Sequence, residues 1–168
     1  MAGVATCETP LGELVVWARE SRLVRIEWGP NARKALSRPG TGLSVTDAYA
    51  EKACLQIGEY FTGLRSEFDL QVDLTEVPPF QARALRALRE VHFGETCTYG
   101  ELAAAAGSPN AARAAGSACA KNRLPLVIPC HRVVAGNGLG GFGPGLDQKR
   151  FLLGHERRAA PSLRSRPS

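Results

Sequence analysis

Apolar and polar positions change rhythm near residue 75. Before it, residues 10–29 hold two dense apolar runs, ELVVWA and RLVRIEW, separated by the polar RES. Their β-branched and aromatic content predicts two strands of a hairpin. NARKALSRPGTG, residues 31–42, reads as a Gly/Pro/Ser loop. From about Thr46 to Thr62 the apolar residues fall at helical spacing, with Asp47 near the start and Gly63 near the end. FDLQVDL, residues 68–74, alternates as a half-buried strand does. TEVPP, residues 75–79, reads as a linker, because two prolines favour a stiff, extended backbone.

After the linker the pattern is helical. FQARALRALREVHFG (80–94) forms an amphipathic helix ended by Gly94. TYGELAAAAG (98–107) is a short helix capped by Thr98, and SPNAARAAGSACAKN (108–122) opens on a Ser-Pro helix start. Joined around Gly107, the two predict a helix-turn-helix. LPLVIPCHRVV, a glycine-rich loop at 136–145 and a last helix at 146–156 follow. The basic tail, 157–168, is expected to be disordered. No internal repeat is present. The expected fold is therefore α/β: a small sheet-plus-helix domain at 1–74, the linker, and a mainly helical domain at 80–156.

Composition changes this picture little. Of 168 residues, 44% are apolar and 22% charged, as in ordinary globular proteins. No run approaches the roughly 20 apolar residues of a membrane span, and the start MAGVATCETPLG lacks secretory-signal character. A cytoplasmic protein is expected. The charge is more informative: residues 1–79 hold 8 Lys+Arg against 11 Asp+Glu, and residues 80–168 hold 13 against 5. A basic second half suits a polyanion, most often nucleic acid, or a simply solvated basic face. Five cysteines at irregular spacing give neither a disulfide framework nor a paired zinc motif, and the first half has no histidine. No metal is expected.

The candidate chemistry sits in LVIPCHRV, residues 126–133. A cysteine reacts as its thiolate, and a free thiol with pKa near 8.5 needs a base or positive charge beside it. His131 and Arg132 follow Cys130 directly, although strand neighbours point to opposite faces. Contact between thiol and imidazole therefore calls for a bridging water or a turn at Pro129. A carboxylate is needed to orient the histidine, and only Asp147 and Glu156 follow Cys130 in the chain. Glu156 is the better placed. A buried, inert thiol and a satisfied core imidazole are the bland alternatives.

IPCHRV resembles the active-site signature of the O6-alkylguanine-DNA alkyltransferases, also called methylated-DNA–protein-cysteine methyltransferases. The resemblance extends over PFQARALRALREVHFGETCTYGELAAAAG, NAARAAGSACAKN and LGGFGPGLDQKRFLLGHE, in order, covering essentially all of 79–156. It implies a ribonuclease H-like first domain and single-turnover, irreversible transfer of an alkyl group from guanine O6 to Cys130, without a cofactor. His131 would be a water-mediated base, Glu156 its polarising carboxylate, and Asn122 the support of the turn beneath the site. Tyr99 and Lys149 would compensate charge on the leaving base. Pro125, Val133, Phe142 and Gly143 would line the base pocket. Because a stacked base is out of reach of a thiol, the nucleotide must flip out. Arg113 would fill the vacated space, with Ala111, Ala112, Ala114, Gly116 and Thr98 also at the DNA. Helix AARAAGSACA is nearly all small side chains, which suits close, sequence-tolerant approach to the minor groove of duplex DNA. A monomer without an obligate protein partner is expected.

The chain departs from the pattern after the active site. GNGLGGFGPG is one residue shorter than the usual bacterial loop, Phe142 replaces a tyrosine, and Gly143 and Pro144 replace larger or polar residues. Stacking by Phe142 is expected to survive, a hydroxyl hydrogen bond to be lost, and the pocket rim to open. Three rival functions fit less well. A non-catalytic lesion sensor lacks the reactive cysteine, a helix-turn-helix regulator carries long polar side chains on its recognition helix, and a cysteine hydrolase leaves the basic half unexplained.

Overall fold

Three strands open the chain. In this computed structural model, which describes residues 2–37 and 47–164, β1 (Gly3–Thr9), β2 (Gly12–Arg19) and β3 (Arg22–Trp28) form an antiparallel sheet in the order β1-β2-β3. Glu20 and Ser21 both have positive φ (51° and 57°). That is the backbone twist a two-residue hairpin loop demands, reached here without glycine. Leu14, Val15, Val16 and Ala18 are wholly buried, so β2 is the central strand with both faces covered. One face packs α1 (Pro30–Leu36), where Ala32 meets Val4, Val15 and Trp17. Helix α2 (Ala48–Phe61) packs against β1 and β2, and its Asp47 cap accepts from the Tyr49 and Ala50 amides at 2.8 and 3.0 Å. These elements form the first of two units, Met1–Asp73 and Leu74–Ser168.

The second unit is built on α3 (Pro79–Leu88), α4 (Tyr99–Ala105), α5 (Ala112–Ala120) and α6 (Leu146–Arg164). Ala84, Ala106 and Ala118 bury together under Phe80. Three methyl groups at one junction let α3, α4 and α5 approach closely, which gives the helix-turn-helix its compactness. A two-residue parallel pair, β4 (Cys97–Thr98) with β5 (Val133–Val134), ties the segment before α4 to the segment after Cys130.

Several expectations are corrected. The predicted hairpin has a third strand, β1, whose short, half-buried alternation gave a weak signal. Residues 30–36 are helical rather than loop: Pro30 occupies the first turn, where its missing N–H is harmless, and buried Ala32 anchors the turn. Residues 38–46, which complete that predicted loop, lie outside the described residues. FDLQVDL is not a regular strand; it touches β3 at a single parallel bridge, Leu23 with Val72. Helix α5 begins at Ala112, not Ser108, because Pro109 and Asn110 form a turn closed by the Ala111 amide on Ser108 O at 2.9 Å. Of the tail predicted to be disordered, residues 157–164 are helical, since Ala160, one turn beyond Glu156, is 8% exposed and holds the helix down; residues 165–168 lie outside the described residues.

Helix α3 also stops early, at Leu88 rather than Gly94. The chain unwinds through Val91 and reverses at Gly94, whose φ is 83°. A Cβ there would lie 2.9 Å from the Ala160 methyl. Gly94→Ala is expected to lower stability by roughly 1–2 kcal/mol from the left-handed backbone alone, and more from the collision with α6. A urea-unfolding midpoint equal to that of the wild type would contradict this.

Candidate active site

The turn before Cys130 is set by Asn122. Its Nδ2 donates to Ile128 O at 2.9 Å, and its Oδ1 accepts from the Leu124 amide at 3.0 Å. Between them Leu126 takes φ 76° with 1% exposure, a conformation an isolated leucine avoids and a packed core can hold. Pro129 then leads into one 3₁₀ turn, Cys130–Arg132, closed by the Arg132 amide on Pro129 O at 3.0 Å. A 3₁₀ turn spreads successive side chains by about a third of a revolution. Cys130 lines a cavity, while His131 and Arg132 both reach Glu156.

Glu156 is wholly buried and serves as the hub. Its Oε1 meets His131 Nε2 at 2.7 Å and accepts from Arg132 at 2.9 Å. Oε2 accepts from Arg132 Nε at 3.0 Å and from the Gly94 amide at 3.4 Å. Burial opposes ionisation of this carboxyl, but its His131 and Arg132 partners prevail and hold it down at about 2. Arg132 donates once more, to Val91 O at 2.7 Å, a carbonyl made available where α3 unwinds. Phe93 lies against the guanidinium, 5.8 Å from its ring centre.

Burial pushes His131 below its ordinary value, against the pull of Glu156. A neutral ring donates Nε2–H to the carboxylate, which leaves the lone pair on Nδ1. That Nδ1 is buried and has no hydrogen-bond partner in the protein. The thiol of Cys130 is likewise raised by burial, with Asn122 and the Lys149 charge pulling the other way. Both groups are therefore uncharged at neutral pH.

Cys130 shares a cavity of about 150 Å³ with Tyr99, Gly116, Cys119, Ala120, Gly141, Phe142 and Gly143. Lys149 builds the wall behind the loop. It is fully buried, and its Nζ donates to Val133 O at 2.6 Å and Gly141 O at 3.0 Å. At Gly140, φ is 73° and a Cβ would stand 2.7 Å from the Tyr99 hydroxyl oxygen, so only glycine lets the loop close over the phenol.

The sequence matches two family models: residues 79–158 fit the 6-O-methylguanine DNA methyltransferase DNA-binding domain, and residues 4–74 its ribonuclease-like domain. This chain belongs to the 6-O-methylguanine DNA methyltransferase family. A methylated-DNA–protein-cysteine methyltransferase of Mycolicibacterium paratuberculosis is 39% identical over 158 residues, 94% of this chain and 93% of that protein. The constitutive Bacillus subtilis enzyme is 36% identical, over 90% and 93% of the two chains. The crystal structure of the Mycobacterium tuberculosis O6-methylguanine methyltransferase superposes with a TM-score of 0.83 at 35% identity, covering 96% of each chain. The same organism's protein in complex with DNA gives 0.80 at 34%, covering 94% of each.

Within the second unit of this methyltransferase-family chain, the fold gathers Cys130, His131, Glu156, Asn122, Tyr99 and Lys149 about one turn and one cavity. Phe142 and Gly143 line that cavity, whereas Pro125 and Val133 are buried outside its lining. Val133 contributes instead the carbonyl that holds Lys149. Gly116, expected at the DNA, lines the cavity, with Cys119 and Ala120 one turn further along α5. Thr98 caps α4, its Oγ1 accepting from the Glu101 amide at 3.1 Å. Ala112, Arg113 and Ala114 are exposed, and Ala111 is half-buried at the helix start. Arg132, given no role of its own in the sequence reading, shares Glu156 with His131; its adjacency to His131 was the available signal. Cys119 was not singled out, and helical spacing from Gly116 could have found it. Among the described residues no group of three or more His, Cys, Asp or Glu is arranged to hold a metal ion, and no helix is long and apolar enough to cross a membrane.

Glu156→Ala leaves Arg132 buried without its carboxylate and is expected to destabilise the second unit by about 3–5 kcal/mol, read by urea or thermal unfolding. Because the Glu156 carboxyl is depressed to about 2 in the folded protein, its stabilisation is complete above the unfolded value of about 4.3 and lost as pH falls from there through 2. Acid unfolding of Glu156→Gln should lack that component.

Proposed function

We propose that this protein repairs O6-alkylguanine in duplex DNA by moving the alkyl group onto Cys130. The observation that carries this reading is the Cys130 thiol opening into a base-sized cavity above the buried His131–Glu156–Arg132 network. The relative solved with DNA supports DNA binding, as does the DNA-binding-domain model.

Binding begins on α5. Arg113 precedes Gly116 by three residues and Ala120 by seven, so all three fall on one helical stripe. The exposed Arg113 stands one turn before the cavity-lining positions. Small neighbours let this helix enter the minor groove, and the arginine takes the place of a nucleotide rotated toward the cavity. Sequence readout is weak, because alanines carry no groups to read base edges.

In the cavity the Cys130 sulfur attacks the alkyl carbon at O6. The S–C bond forms as the C–O6 bond breaks, and the electron pair stays on guanine. The thiol proton passes to His131 Nδ1 through a bridging water, and Glu156 stabilises the imidazolium that results. The Tyr99 hydroxyl donates toward the leaving base, and the Lys149 charge favours the anionic forms of sulfur and base in turn. The thioether has no hydrolytic exit, so each molecule acts once. The alkylated base is itself the donor, so the reaction needs no metal or methyl-donor cofactor, and the chain acts as a monomer.

With a duplex carrying one O6-methylguanine, intact-protein mass should rise by about 14 Da, one methylene increment. The gain should map to Cys130 and saturate at one per chain. Cys130→Ala should bind the duplex without gaining mass; wild type that binds but gains nothing overturns the transfer reading.

Arg113→Ala should slow transfer from duplex DNA by about tenfold or more while sparing transfer from a free O6-alkylated guanine base, which needs no flipping. Equal losses on both substrates would contradict the arginine's role.

Because His131 is held below and Cys130 above its ordinary value, both reactants keep their competent neutral forms across neutrality. The transfer rate should be level from about pH 7 to 8.5 and fall only below about 6.5 as His131 protonates. An acid limb centred above 6.5 would contradict the neutral-imidazole assignment.

A further inference from the structure

Two cations beside the cavity are left without a partner. Elsewhere in the second unit Arg132 and Arg150 pair with Glu156 and Asp147, and Arg83 donates to Ala106 O at 3.1 Å. Lys121 and Arg123 differ. Both are exposed, and among the described residues neither side chain has a hydrogen-bond or ion-pair partner. Their roots are nevertheless fixed to the reacting turn. Lys121 caps the C-terminal end of α5, its amide donating to Ser117 O at 3.0 Å, and directly follows Cys119 and Ala120, which line the cavity. Between the two cations Asn122 spans the Leu124 amide and Ile128 O. The Cys130 amide donates to that same Ile128 carbonyl at 2.8 Å. Arg113 stands at the other end of α5. It lies eight residues before Lys121, about 12 Å along the axis and about 80° around it, so the three cations bracket the cavity-lining part of the helix.

We infer that Lys121 and Arg123 form a phosphodiester-binding site that holds the backbone of the nucleotide rotated into the cavity. The inference deepens the repair reading and rests on it. Rotating a base out of the stack swings its sugar and flanking phosphates with it, at the cost of lost stacking and pairing. Arg113 fills the space left in the duplex but does not meet the charge of the displaced backbone. Lys121 and Arg123 stand past the opposite end of the cavity-lining stretch, with nothing in the protein to neutralise them.

The two side chains suit a phosphate in different ways. An arginine grips it through two N–H groups, and a lysine attracts it as a point charge. Contacts of this kind position a duplex without reading its sequence, which agrees with the alanine-rich face of α5. Because Asn122 and Ile128 O join this turn to Cys130, a phosphate held here also fixes how far the alkyl carbon lies from the sulfur. A purely structural role, offsetting the negative C-terminal end of α5, would instead show in stability and with every substrate alike.

The test uses the full-length protein and duplexes carrying one O6-methylguanine, in which each phosphate near the lesion is replaced in turn by a neutral methylphosphonate. Transfer by the wild type, at subsaturating protein, should slow by about tenfold at one or two of these positions. The double variant Lys121→Gln, Arg123→Gln should be about tenfold slower on the unmodified backbone and lose less than about twofold more at those same positions, because the partner is already gone. Its log–log salt dependence should be shallower by about 1.8, two phosphates at about 0.9 each. A free O6-alkylated guanine base, which has no phosphate, should react equally with both proteins. Equal methylphosphonate losses in wild type and variant, or equal variant losses on duplex and free base, overturn the inference. So does a wild type insensitive to methylphosphonate at every position, a result that needs no variant to fold. A wild type that takes methyl from no duplex at all fails the repair reading itself, and the inference with it.

Discussion

The ionised carboxylate of Glu156, wholly buried, is the constraint on which the second unit depends. A lone charge in that position would be far too costly to bury. It is tolerated because Arg132, His131 and the Gly94 amide converge on it. Each donor makes its own demand on the fold. Arg132 needs the Val91 carbonyl, so α3 must unwind early. His131 needs the 3₁₀ turn, so Asn122 must hold the preceding loop. Gly94 needs a left-handed backbone against Ala160, so α6 must continue past Glu156. One ion pair thus ties together three segments distant in sequence. The same contacts that stabilise the unit fix the imidazole with Nδ1 as the basic nitrogen.

The cavity above this network is shaped by what is missing. Gly116 on α5 stands beside Tyr99, where an added Cβ would lie at ordinary contact distance, 3.7 Å from the ring. Gly140 lets the loop pass over the phenol. Gly141 contributes a carbonyl to Lys149. Absent side chains leave space for a base, while the polar atoms that face it come from a few long side chains rooted elsewhere. In the proposed reaction Cys130 acts through position and partners rather than through a low intrinsic pKa, because burial raises its thiol.

Much of this was legible in the sequence because it depends on local pattern and residue type. The β2–β3 hairpin, the α2 helix with its Asp47 cap, the α4 start at Thr98 and the pairing of His131 with Glu156 follow from spacing, caps and the scarcity of acids after residue 130. The missed features are tertiary. Strand β1 is ordered by its neighbour rather than by its own alternation. The helix at 30–36 forms because Ala32 has a core to enter, and the helix beyond Glu156 persists because Ala160 has Gly94 to pack on. Arg132 was given no role, since no local rule says that its guanidinium will share a carboxylate with the preceding histidine. Nor could spacing show that Val133 serves by its carbonyl rather than its side chain. Sequence determines which groups are available and what each backbone segment prefers; only the packed chain decides which buried charges and thiols face one another, because that choice depends on the desolvation each can have compensated by a distant partner.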